Sequence, residues 1–301
     1  STFLISGSGG QDRNEEIFNH KPFFVIADYL TRNGIAVLRF DDRGIAQSTG
    51  DHSTATTEDF ARDVLAGVQF LKERKEIDKT KIGLIGHSEG GIIAPLVATQ
   101  SNDIAFIIMM AGTGIPGDSI LYLQGALIQR AEGISEEEIQ KSLQTQKELF
   151  SIIKHSTDEN LEKELKEKLI AEIQKMSNED KAKLGDPDTY IDMQLKTLTS
   201  PWFKYFLKFN PASVLEKVKC PVLAINGEKD LQVPPKENLS AIKTALEKGG
   251  NKNFEVVELK GLNHLFQTSE TGKISEYGQI EETISPLALQ TMLDWIKKVV
   301  K

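Results

Sequence analysis

The chain has 301 residues, a formal net charge of −8, 39% hydrophobic and 27% charged residues, and one cysteine, Cys220. This composition excludes a disordered chain, and no apolar run approaches the roughly 18 residues of a membrane span. The acidic balance argues against nucleic acid as a partner, and a lone cysteine allows neither an intrachain disulfide nor a cysteine metal cluster.

In chain order, "TFLIS" (2–6) reads as a strand running into a glycine cluster, "PFFVIADYLTRNG" (22–34) as a helix with a glycine stop, and "IAVLRF" (35–40) as a strand. Phe60, Val64, Val68 and Leu71 give 57–74 an amphipathic helical stripe. A strand at 81–86, a mostly buried helix at 91–100 and a strand at 104–110 follow. From 116 to 211 the strand pattern disappears. Ser135/Glu138 and Ser156/Glu159 have capping-box spacing, and Leu161, Leu165, Leu169 and Ile173 recur at helical intervals. Alternation resumes with a strand at 221–227, a helix at 235–250, a strand at 254–259 and a final helix at 285–300 whose Pro286 suits a first turn. Apolar strands alternating with helices predict an α/β fold: a mostly parallel sheet with helices on both faces, interrupted by a helical insertion.

Gly86-His87-Ser88-Glu89-Gly90 lies where the strand at 81–86 meets the helix at 91–100. Small residues at both flanks permit the sharp strand-to-helix turn of a nucleophile elbow, G-x-S-x-G, with Ser88 at its tip. A serine hydroxyl needs a base to take its proton. Of the five histidines, His20 and His52 lie in polar loops, His155 lies in the helical stretch, and His87 adjoins the serine and is turned from it by an elbow. His264 directly follows the strand at 254–259, which brings it to the sheet edge that carries Ser88. Asp230 follows the strand at 221–227 and is preferred to Glu228 as the acid that orients the base, since two more residues let the loop clear the strand end. The order Ser88, Asp230, His264 is that of α/β-hydrolases. The N–H of Glu89 and one from "SGSGG" (6–10), Ser8 before Gly9, are the candidate oxyanion donors. As a dinucleotide loop the glycine cluster fails at Asp12, and no phosphate loop or metal-ligand spacing is present, so no cofactor or metal is expected.

"SGSGGQDRN", "FDDRGIAQSTG", "GHSEGG", "NGEKDLQVP" and "GLNHLF" together resemble the α/β-hydrolase superfamily over nearly the whole chain, in particular bacterial serine carboxylesterases with a GHSEGG elbow. The resemblance implies a core of 1–115 and 212–301 with a helical cap at 116–211. It also implies bracing roles for Asp41 and Arg43, and an altered turn at Ala46, where the pattern has glycine. Relatives have strands before the oxyanion strand, which here starts at Thr2. They often carry an extra leading domain or a secretion signal, so the enzyme is expected to be soluble, cytoplasmic or exported. The activity implied is hydrolysis of a small-molecule carboxylic ester through an acyl-enzyme, with thioester or amide cleavage as alternatives and a hydrolase-fold binding protein as the non-enzymatic one. Gly9, His87, Tyr122, Trp202 and Phe203 are the candidate substrate contacts.

Overall fold

A computed structural model describes residues 1–300. The first half of the core runs β1 (Thr2–Ile5), α1 (Pro22–Arg32), β2 (Val37–Leu38), α2 (Thr57–Glu73), β3 (Ile82–His87), α3 (Gly90–Gln100) and β4 (Ile104–Met110). Helices α4 (Gly117–Ala131), α5 (Glu136–His155), α6 (Asp158–Lys175), α7 (Asn178–Leu184), α8 (Pro187–Leu198), α9 (Pro201–Lys208) and α10 (Ala212–Leu215) come next. The chain closes with β5 (Val222–Gly227), α11 (Pro235–Lys248), β6 (Phe254–Leu259) and α12 (Pro286–Val299). The strand expected at 35–40 shrinks to two residues, because β2 is an edge strand paired with β1 alone. The capping box expected at Ser156/Glu159 does not form. Ser156 instead closes α5, and α6 starts one residue later, from Thr157.

All six strands are parallel, in the order β2-β1-β3-β4-β5-β6. Strands β3, β4 and β5 are buried almost throughout, as continuous apolar runs in a parallel sheet must be when helices cover both faces. Helix α1 packs on α12, while α2, α3, α10 and α11 form a second connected group. Trp295 of α12 meets Phe106 of β4 edge-on, with ring centroids 5.7 Å apart.

This strand order positions the site. The chain leaves β1 to one side for β2 and returns on the other side for β3, so the loops after β1 and β3 diverge. In an open α/β sheet such a reversal leaves a crevice at the carboxyl ends of the strands. The register sets Ile5 beside Gly86 and Gly86 beside Met109, so those strand ends form one edge. Helices α5, α6, α8 and α9 bury their own apolar cluster, which includes Phe150, Leu165, Leu195 and Phe203, and this cluster is separate from the sheet's.

Candidate functional site

Ser88 forms the turn between β3 and α3 and holds φ +52°, a left-handed conformation uncommon for a residue with a side chain. What makes the turn possible is the absence of side chains at its two flanks. A Cβ on Gly86 would lie 1.9 Å from the Gly90 carbonyl oxygen, and one on Gly90 would lie 2.1 Å from the Ile5 carbonyl oxygen. The helix therefore starts in direct backbone contact with the ends of β3 and β1. The Ser88 N–H is tied to the Met110 carbonyl at 2.8 Å.

The loop after β1 runs beside this turn, since a Cβ on Gly7 would lie 3.2 Å from that of Ser88. Carboxylates shape the loop. Glu15 accepts the Gly7 N–H at 2.7 Å. Asp42 accepts the Gln11 N–H at 2.9 Å and the Ser6 hydroxyl at 2.9 Å. Asp41 takes two guanidinium bonds and a backbone bond from Arg13, which hold its carboxyl far below the usual range. Arg43 forks onto Asp63 of α2 with bonds of 2.7 and 2.6 Å. Ala46 sits at φ +47°, so the altered turn takes the form of a left-handed alanine.

His264 and Asp230 arrive from the ends of β6 and β5. His264 Nδ1 and Asp230 Oδ2 are 2.8 Å apart, with both side chains buried. Asp230 Oδ1 also accepts the N–H groups of Gln232 and Val233, at 2.8 and 2.9 Å. Glu228, the rival acid, is exposed and accepts the Gly261 N–H. The other histidines are spent elsewhere. His20 lies between Thr283 and the Tyr277 carbonyl, His52 stacks on Phe60, and His155 bonds the Ser151 carbonyl on the surface.

One cavity of about 260 Å³ is lined by Ser8, His87, Ser88, Glu89 and His264, and also by Trp202, Ile120, Leu121 and Phe206 from the helices between β4 and β5. Three expected contacts do not reach it. Tyr122 stacks on Phe150, and Phe203 packs edge-on against the same ring, inside the cluster formed by those helices. The reason is helical pitch. On α9, Trp202 and Phe206 share one face and Phe203 and Leu207 the next, and on α4, Ile120 and Leu121 turn Tyr122 away. Gly9 is exposed and lines a separate small pocket beside Asp42, where its φ of +88° makes the loop's turn.

Glu89 has a buried carboxylate that sequence reasoning assigned no role. It accepts the Thr57 hydroxyl and the Trp202 indole N–H, both at 2.7 Å, so it ties α2 to α9 beside the cavity. Burial pushes its pKa up, and the bonds from Thr57, Trp202 and Ser8 restrain the shift. Glu15 was missed for a different reason. It stands alone in a loop, with no periodicity or motif to mark it.

Asp42 makes the loop after β1 sensitive to pH. Burial pushes its pKa up to about 7, against the pull of the Gln11 N–H and the Ser6 hydroxyl. Between about 4, where an unfolded aspartate titrates, and 7, the folded chain holds a proton that the unfolded chain releases. Stability is therefore greatest below that window and falls as pH rises through it, by ~1.4 kcal/mol per pKa unit. Asp42→Asn cannot ionise, and its amide oxygen can still accept the Gln11 N–H. The variant is expected to gain a few kcal/mol relative to the parent between pH 4 and 8. Denaturant melts at several pH values measure this, and parallel stability curves for the two proteins would refute it.

The family described as serine aminopeptidase, S33, matches residues 21–181, and the prolyl oligopeptidase family matches 176–300. The first segment contains Ser88; the second contains Asp230 and His264. Esterase EstD of Thermotoga maritima is 27% identical over 270 residues, which is 89% of this chain and 54% of that protein. The chain thus spans about half the length of that relative. Among solved structures, the Pyrococcus furiosus esterase Pf2001 superposes with a TM-score of 0.57 at 15% identity, covering 100% of this chain and 82% of that one. A Paleococcus ferrophilus monoacylglycerol lipase superposes with a TM-score of 0.54 at 16% identity, covering 99% and 94%. At such identities the structural likeness speaks for the fold alone, and that fold is the α/β-hydrolase fold. The first family match spans more than half of the sequence, so the chain belongs to the serine aminopeptidase S33 family, within the α/β-hydrolase superfamily.

Proposed function

We propose that this chain hydrolyses carboxylic esters through an acyl-enzyme on Ser88. The observation that carries the reading is the buried His264–Asp230 pair, whose His264 lines the same cavity as a serine held at φ +52°. Ser88 Oγ attacks the ester carbon and gives its proton to His264 Nε2, which passes it to the leaving alcohol. Asp230 keeps the Nδ1 proton in place and stabilises the imidazolium. Water then repeats the sequence and releases the acid. The oxyanion faces the Glu89 N–H at the start of α3 and the N–H of Ser8. Of Gly7, Ser8, Gln11, Glu15 and Ile17, the loop residues that line the cavity, all but Ser8 have their N–H groups committed, to Glu15, Asp42, the Asp12 carbonyl and the His20 carbonyl respectively. Preorganised donors of this kind are worth about 10²–10³ in kcat each. Ester rather than amide chemistry is supported by EstD, a named esterase similar along most of this chain.

In this reading 116–211 is a cap that selects the acyl group, with Trp202, Phe206 and Ile120 as its contribution to the cavity. Trp202→Leu is expected to raise KM for a medium-chain p-nitrophenyl ester roughly tenfold, the loss of ~1.4 kcal/mol of apolar contact. Labelling of Ser88 by a small fluorophosphonate should change by less than about threefold. Phe203→Ala, one residue along, should leave chain-length preference alone and cost roughly 3–5 kcal/mol of stability as a core truncation. Equal effects of the two substitutions on substrate preference would contradict the cap assignment. Assays of esters of increasing chain length beside a thioester and an aminoacyl amide test the reaction itself. Turnover of the amide alone would replace the ester reading with a peptidase. No turnover and no labelling by a folded protein would favour a binding protein.

A further inference from the structure

His87 closes β3, immediately before Ser88, yet its side chain takes no part in the mechanism above. It is buried between two loops. Its Nε2 lies 3.0 Å from the carbonyl oxygen of His264, and its Nδ1 lies 3.0 Å from Glu15 Oε1. A carbonyl only accepts, so Nε2 carries a proton in every state of the ring. The same Glu15 oxygen accepts the Gly7 N–H at 2.7 Å, and the His87 ring sits 4.9 Å from that of His264. The other Glu15 oxygen is buried and has no partner among the described residues. Glu15 itself is held at φ +51°.

We propose that Glu15 and His87 form a positioning unit that sets the spacing between the base and the oxyanion donors. Resting on the assignment of Ser88, His264 and Asp230 made above, the unit holds what that triad leaves loose. Asp230 orients the His264 ring, but it does not anchor the backbone from which the ring hangs. His87 anchors that backbone through the His264 carbonyl. Glu15 carries the same connection to Gly7, the neighbour of Ser8. One buried chain of hydrogen bonds, from Gly7 N–H to Glu15, from His87 to Glu15 and from His87 to the His264 carbonyl, thus joins the loop after β1, the end of β3 and the loop after β6. Stability alone does not call for it, since apolar groups of similar volume serve a core at least as well as a buried ionic pair. Burial alone would push the His87 imidazolium towards neutrality, but the Glu15 charge and hydrogen bond outweigh it and raise the pKa, consistent with a ring that donates from both nitrogens.

The test compares His87→Leu, His87→Gln, Glu15→Gln and Ser88→Ala, assayed on a short p-nitrophenyl ester with thermal melts alongside. A misplacement of about 1 Å costs roughly 10² in rate. His87→Leu is expected to lower kcat about 10²-fold with KM within threefold, a loss beyond what the unfolded fraction accounts for, and to lower the melting temperature as well, since it leaves the buried Glu15 carboxylate without its partner. His87→Gln can still present an N–H to the His264 carbonyl and should recover at least tenfold of that loss. Glu15→Gln should lose at least tenfold in kcat. The proposal is overturned if His87→Leu keeps kcat within threefold, if its loss merely follows the unfolded fraction, or if glutamine rescues no better than leucine. Should His87→Leu fail to fold, a Glu15→Gln protein with undiminished kcat would overturn it equally. Ser88→Ala separates the two levels of argument: activity surviving there rejects the triad, whereas an inactive Ser88→Ala beside a fully active His87→Leu rejects the positioning unit alone.

Discussion

Ser88→Ala is expected to lower kcat on a short ester by roughly 10⁴- to 10⁶-fold, and His264→Ala by a similar factor. The double variant should be no worse than either single one. Without the base the hydroxyl is not activated, and without the hydroxyl the base has nothing to activate, so the two losses do not add. Asp230→Asn should cost about 10⁴ in kcat, because an amide can turn its NH2 group toward His264 Nδ1 and so favour the wrong tautomer. The local geometry encourages that outcome. Oδ1 of Asp230 is already committed to the N–H groups of Gln232 and Val233, so an asparagine keeps its oxygen there and turns its nitrogen toward the ring. Glu228→Gln should leave kcat within about threefold, since that carboxylate is exposed and bonded to the Gly261 N–H. Steady-state kinetics on the four single variants and the double variant decide the assignment. A neutral Asp230→Asn beside a damaging Glu228→Gln would reverse the choice of acid, and a Ser88→Ala protein with undiminished turnover would remove the serine mechanism altogether.

How much of this was legible beforehand depends on the range over which each feature is determined. The elbow is local: five consecutive residues, a strand before and a helix after, and the structure has Ser88 at a left-handed turn there. Strands β3, β4 and β5 are central, so burial on both faces imposes apolar runs that read directly. Strand β2 is an edge, and its length depends on how far a single neighbour pairs with it, which no property of "IAVLRF" reveals. Two of the aromatic residues between β4 and β5, Tyr122 and Phe203, failed in a specific way. Composition placed Tyr122, Trp202 and Phe203 near a pocket, but only helical phase decides which side of α4 or α9 faces it, and a shift of one residue turns a side chain by about 100°. The least legible features are long-range polar contacts. Glu15 lies 72 positions from His87, and Trp202 lies 113 from Glu89, so their pairing is a property of the fold and of nothing nearer.

Gly90→Ala is expected to be among the most damaging single-methyl additions in the protein. The added Cβ would stand 2.1 Å from the carbonyl oxygen of Ile5, and also 2.8 Å from that of Ser6. Both are backbone atoms, so no rotamer change relieves the clash. Either α3 withdraws from β1 or the end of β1 bends away. The first path is obstructed because α3 is buried from Gly90 to Val97 and packs on α2 and on the sheet. The second disturbs Ser6 and the loop beyond it, which Asp42 and Glu15 hold in place. Overpacking of a tight core costs about 1–3 kcal/mol, and a backbone-to-backbone clash belongs at or beyond the upper end. The kinetic effect follows from the same displacement. Glu89 precedes Gly90, so any retreat of the helix moves its N–H away from the oxyanion position proposed above, and the loss of one such donor is worth about 10²–10³ in kcat. Gly125→Ala on α4 is the matched control. There a Cβ finds nothing closer than 3.9 Å, and alanine in a helix interior should stabilise by roughly 0.5–1 kcal/mol. Equilibrium denaturation and kcat on the two variants make the comparison. A Gly90→Ala protein as stable as the parent, with kcat intact, would mean that helix and strand separate at little cost, and that the close approach beneath Ser88 is not what holds the elbow in shape.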